Sequence, residues 1–122
     1  MWLFTPFGFF SIVAKEPGDV LAVRARFRED LDRLREGYLP TMTPTVSRGG
    51  SDYPYRAFVE RSQFQRALRR IVEGLTYDNF KSEVGRTLGK DRKRLYQAVW
   101  RVMKYGSRPV RRPGPRTLTV KI

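Results

Sequence analysis

Residues 20–27, VLAVRARF, carry a period-two pattern that gives way without a break to a helical one. Successive side chains of an extended chain face opposite sides. Leu21, Val23, Ala25 and Phe27 therefore share one face, and Arg24 and Arg26 the other. This predicts a half-buried strand with a basic outer face. Over residues 28–38 the period changes: Phe27, Leu31, Leu34 and Tyr38 fall on one helical stripe. Glu29, Asp30, Asp32 and Glu36 stand among arginines at helical spacing and are expected to pair with them at the surface. A strand with one apolar face, followed at once by a helix with one apolar stripe, buries both when the helix lies on the sheet.

The same sequence of patterns returns downstream. Tyr55, Ala57 and Val59 alternate with Arg56, Phe58 and Glu60. Ser62 then opens a helix as a capping box with Gln65, and Phe64, Leu68, Ile71 and Leu75 form its stripe. Residues 2–4 and 9–14 are apolar runs, each followed by a turn signal, Thr5-Pro6-Phe7-Gly8 and Glu16-Pro17-Gly18-Asp19. Proline and glycine interrupt this apolar start and no basic stretch precedes it, so it reads as strands and not as a signal peptide. A fainter strand signal covers residues 43–47. Thr76 is the expected N-cap of a short helix with Phe80 and Val84 inward. Asp91 is the expected cap of a last helix with a Leu95, Val99, Val102 and Met103 stripe. The expected class is α+β: one antiparallel sheet of about four strands, in the order β-β-α-β-β-α-α-α, with helices on one face. A ferredoxin-like or permuted ferredoxin-like topology is the first choice. Residues 1–106 are expected to form one compact domain. Residues 107–122, rich in proline and arginine, are expected to be a flexible tail.

Histidine and cysteine are both absent. That excludes a Cys/His zinc site, a histidine base and disulfides. A chain without cysteine is compatible with a reducing compartment, and the cytoplasm is the expected location. No run of about 18 apolar residues is present, so no transmembrane span is expected. No acidic group escapes an ion-pair or cap explanation. No catalytic residue, metal ligand or cofactor is therefore expected, and a Mg²⁺-dependent nuclease is the least favoured reading.

The charge is unevenly placed. Residues 92–122 hold ten of the chain's 25 Lys and Arg residues and none of its 12 acids. Clustered cations displace condensed counterions from phosphates and give salt-sensitive affinity. Arginine adds bidentate phosphate contacts and stacking on bases. The nucleic-acid contact is assigned to Arg92, Lys93, Arg94, Arg101 and Lys104 on the last helix and to Arg108, Arg111, Arg112 and Arg116 beyond it. Arg24, Arg26 and Arg56 join them if their strands are neighbours, with Phe58 or Tyr53 as a stacking ring. RNA and DNA fit this reading equally.

Three segments together carry a resemblance: MWLFT followed by GFFS at residues 8–11; Asp52-Tyr53 with Tyr55-Arg56-Ala57; and Tyr77-Asp78-Asn79-Phe80-Lys81 with a late Val99-Trp100. The set resembles a family of small uncharacterised bacterial proteins over about residues 1–104. That resemblance implies no activity, cofactor or catalytic residue. It does not extend to the basic residues beyond Tyr105.

Two further groups stay open. Asp78, Asn79 and Lys81 could hold Mg²⁺ and a phosphate, but a helix N-terminus explains the first two as well. Of the aromatic set Tyr96, Trp100 and Tyr105 on the last helix, Trp100 reads first as core. Otherwise Trp100 and Tyr96 are anchors for a protein partner, the alternative function being an interaction module such as an inhibitor or an accessory subunit.

Overall fold

The computed structural model describes residues 1–107. The chain divides into two compact units, Met1–Phe80 and a second that begins at Lys81. No helix among the described residues is long and apolar enough to cross a membrane.

The first unit is built on five strands: β1 (Trp2–Thr5), β2 (Gly8–Val13), β3 (Val20–Ala25), β4 (Val46–Ser47) and β5 (Tyr55–Glu60). Two helices accompany them, α1 (Arg28–Gly37) and α2 (Arg61–Glu73). The strands lie in the order β1-β2-β3-β5-β4, and every neighbouring pair is antiparallel. The α+β class and the single antiparallel sheet therefore hold, with the opening apolar run joining as an edge strand. A three-stranded meander is extended by β5, which returns beside β3 after α1. The order β2-β3-β5-β4, with α1 leading from β3 to β4 and α2 following β5, agrees with the permuted ferredoxin-like topology, extended at one edge by β1.

One face of the sheet is the core. Phe10, Ile12, Leu21, Val23, Ala25, Ala57 and Val59 are buried there. Leu31 and Leu34 of α1, Leu39 and Met42 of the following loop, and Phe64 and Ala67 of α2 complete it. The alternation in β3 and β5 thus produces the predicted inner face. Of the α1 stripe, Leu31 and Leu34 are buried, whereas Phe27 stands exposed at the N-cap.

The β1–β2 turn is tied to α1 through Asp30. This carboxylate is fully buried and accepts hydrogen bonds from the Phe9 N–H (2.9 Å) and from Arg33 Nη2 (2.7 Å). Arg33 Nε in turn donates to the Phe7 carbonyl at 2.8 Å. Asp30 is therefore not one of the surface acids it was grouped with. The helix turns it toward the hairpin, where a backbone N–H otherwise lacks an acceptor.

The capping box at Ser62 does not form. The strand runs on to Glu60 and α2 begins at Arg61 with no side-chain cap. The Arg61 N–H donates instead to the Asp19 carbonyl (2.8 Å), and its guanidinium meets the Asp19 carboxylate at 2.9 Å. The β2–β3 turn thus supplies the helix start.

In the second unit, α3 (Phe80–Leu88) and α4 (Lys90–Gly106) are joined at Gly89. Gly89 has φ +94°, a conformation that favours glycine. Thr76 lies too far upstream to cap α3, and Asp91 sits in the first turn of α4, behind an N-cap at Gly89. Val84 and Tyr96 are buried, and a Cβ on Gly85 would lie 3.1 Å from Lys93 Cδ. The expected Leu95, Val99, Val102 and Met103 stripe is exposed. The residue that α4 buries is Tyr96, which lies off that stripe.

Candidate nucleic-acid interface

Cross-strand partners in an antiparallel sheet project their side chains to the same side. The register pairs Trp2 with Ser11, Ser11 with Arg24, Arg24 with Arg56, and Arg56 with Val46. One row thus crosses all five strands on the face opposite the core. A strand bearing alternating residues must place some there. In this chain two of them, directly opposed, are arginines.

Opposed like charges on neighbouring strands destabilise a sheet. Among the described residues no carboxylate lies within salt-bridge distance of Arg24 or Arg56. Neutral groups hold the pair in place. Arg24 Nη2 donates to Ser11 Oγ at 2.8 Å, and its guanidinium carbon lies 4.6 Å from the centroid of the Tyr53 ring. Arg56 Nη2 reaches the Tyr53 carbonyl (3.3 Å) and Ser51 Oγ (3.4 Å). The Nε atom of each is buried without a hydrogen-bond partner. Burial, then the neighbouring Arg48 and Arg24 charges, lower the Arg56 pKa from its ordinary value, with Glu16 opposing.

The loop between β4 and β5 frames this pair. Arg26 Nη1 donates to the Asp52 carbonyl (2.5 Å) and the Ser51 carbonyl (3.4 Å), and the Arg48 N–H to the Pro54 carbonyl (2.7 Å). Tyr53 is thereby fixed over Arg24. Its hydroxyl accepts a hydrogen bond from Trp2 Nε1 at 2.8 Å. Phe4 and Phe9 stack at 4.4 Å, and Trp2 stands edge-on to Phe9 at 5.5 Å. The arginine pair therefore borders an aromatic cluster, at whose rim Trp2 is 55% exposed.

The expectation that Arg24 and Arg56 are neighbours holds, and Tyr53 is the ring beside them. Arg26 instead braces the loop. Phe58 lies on the same face, opposite Ala22. Trp2, Phe4, Phe9 and Arg48 were not anticipated. In a segment without charged residues the two faces look alike, and the register separates Phe9 from Phe10. A period-two reading of residues 2–5 and 8–11 together would have grouped the three aromatics with Ser11.

In the second unit, Arg92 and Lys93 are half-buried near the start of α4. Arg94, Arg101 and Lys104 are exposed, and Arg94 approaches Asp91 at 3.5 Å. Trp100 is not core: it is 52% exposed, with the ammoniums of Lys81 and Lys104 each 5.1 Å from its ring centroid. Tyr96 is buried and offers no docking surface. Arg108, Arg111, Arg112 and Arg116 lie outside the described residues. Among the described residues no three acidic side chains gather as metal ligands would. No protein-family model, curated protein or solved structure matches this chain.

Proposed function

We propose that the protein binds nucleic acid through its phosphates, using the Arg24–Arg56 face of the sheet together with the basic residues of α4 and beyond. The observation that carries this reading is the opposed arginine pair with no carboxylate partner. A fold that keeps two arginines at opposed register positions without a salt-bridge partner leaves a place for a polyanion. The lack of any acid after Asp91 gives the same sign to the C-terminal quarter. Charge of this kind binds without base readout and weakens steeply with salt.

Binding of labelled RNA and DNA by the full chain at several salt concentrations tests the proposal. Tight binding at low salt, with log K falling linearly in log salt, is the expected result. Arg24→Gln with Arg56→Gln should weaken it, and so should glutamine at Arg108, Arg111, Arg112 and Arg116. No binding at low salt overturns the reading.

One observation favours a second reading. Leu95, Val99, Trp100, Val102 and Met103 are exposed on α4 beside Arg94, Arg101 and Lys104. Apolar area ringed by cations suits an acidic protein surface. Loss of a co-purified acidic protein in Val102→Glu, with nucleic-acid affinity unchanged, would favour it.

A further inference from the structure

The second sheet face carries an exposed indole and a cation pair without a salt-bridge partner in one side-chain row. Resting on the nucleic-acid reading above, we infer that this face is a single-strand site. One phosphate is held by Arg24 and Arg56, and one unstacked base rests on Trp2.

The donors for the phosphate are at hand. Arg24 and Arg56 each commit Nη2 to neighbouring oxygens, whereas Nη1 of each makes no hydrogen bond among the described residues and is not buried. Two interstrand spacings, about 10 Å, separate the Trp2 and Arg24 backbones within the row. Tyr53 spans that interval, its ring against the Arg24 guanidinium and its hydroxyl on the Trp2 indole N–H.

The indole is held, not merely exposed. The bond to Tyr53 and the edge-on contact with Phe9 (5.5 Å, 88°) fix its plane while leaving it 55% open. A rigid aromatic platform costs little ordering entropy on binding. Bases stack on such platforms in a sequence-tolerant way, because every base has a π-face. A duplex keeps those faces inside its own stack, so Trp2 discriminates in favour of single strands.

The test uses the full chain with Trp100→Phe, which leaves Trp2 as the sole tryptophan of two. Its emission is followed during titration with single-stranded RNA, single-stranded DNA, the matching duplex, and inorganic polyphosphate, which has charge but no bases. Quenching by both single strands, with little from duplex or polyphosphate, is the expected result. Trp2→Ala should lower single-strand affinity about tenfold and leave duplex affinity unchanged. Trp2→Phe should recover part of the loss and serves as the second variant if the alanine chain does not fold. Equal affinity for single strand and duplex, with Trp2 emission unmoved, overturns the inference and leaves the nucleic-acid reading standing. Failure of every nucleic acid to bind at low salt overturns both.

Discussion

Gly8 and Asp30 share a space that admits only one side chain: a Cβ built on Gly8 would lie 2.7 Å from the Asp30 Cβ and 2.8 Å from its Cγ. The ring of Phe10 closes the same spot at 2.8 Å. Neither neighbour can withdraw, since Asp30 is fully buried and Phe10 is core. Gly8→Ala should therefore destabilise the fold by about 1–3 kcal/mol, the usual cost of forcing atoms into a filled interior. A lowered denaturant midpoint with an unchanged m-value is the expected readout.

Asp30 itself should be more sensitive. Asp30→Ala leaves the Phe9 N–H without its acceptor and strips Arg33 of its carboxylate. Removing one partner of a buried polar pair costs about 2–4 kcal/mol. Asp30→Asn keeps an acceptor oxygen for Phe9 and should cost clearly less. Chemical denaturation of the two variants side by side checks the order. Equal losses would mean that the charge, and not the hydrogen bond to the hairpin, matters most.

These two residues also show where the sequence could be read and where it could not. Strands and helices followed from local periodicity, because each element must bury one face. The role of Asp30 depends on a turn 21 positions upstream, and no spacing within α1 reports it. Phe9 and Phe10 are alike in the sequence, yet one joins the aromatic cluster beside Tyr53 and the other the core. Cross-strand register makes that division. Arg24 and Arg56 were legible because their neighbours along each strand are apolar. The aromatic half of the same site lies on strands with no charged residue to mark the outer face.

The arginine pair should trade stability for binding. Arg56 faces Arg24 across the strand and has a lowered pKa, chiefly from burial and then from Arg48 and Arg24. A base whose folded-state pKa is lowered destabilises the fold while charged, and the penalty lifts only as pH rises through that lowered value. Arg56→Gln removes the like-charge contact and should raise stability by a few tenths to about 1 kcal/mol at neutral pH. The same variant should weaken single-strand binding several-fold. Thermal melting and a titration on one preparation check both halves. A variant that loses stability along with affinity would assign Arg56 to the fold.

Val84 and Val102 test the division of α4 into a covered and an open part. Val84 is fully buried on α3, whereas Val102 is 67% exposed. Lys81, in the first turn of α3, stands beside Trp100, and Val102 lies beyond that level on the longer helix. Val84→Ala removes two methyl groups from a packed site and should cost about 2 kcal/mol. Val102→Ala should change stability by less than about 0.5 kcal/mol, as substitutions at open surface positions do. Amide exchange along α3 and α4 gives the local readout: faster exchange near Val84 and Tyr96 in the first variant, and no change in the second. A loss at Val102 as large as that at Val84 would show that this end of the helix is covered in solution and would point to a partner seated on it.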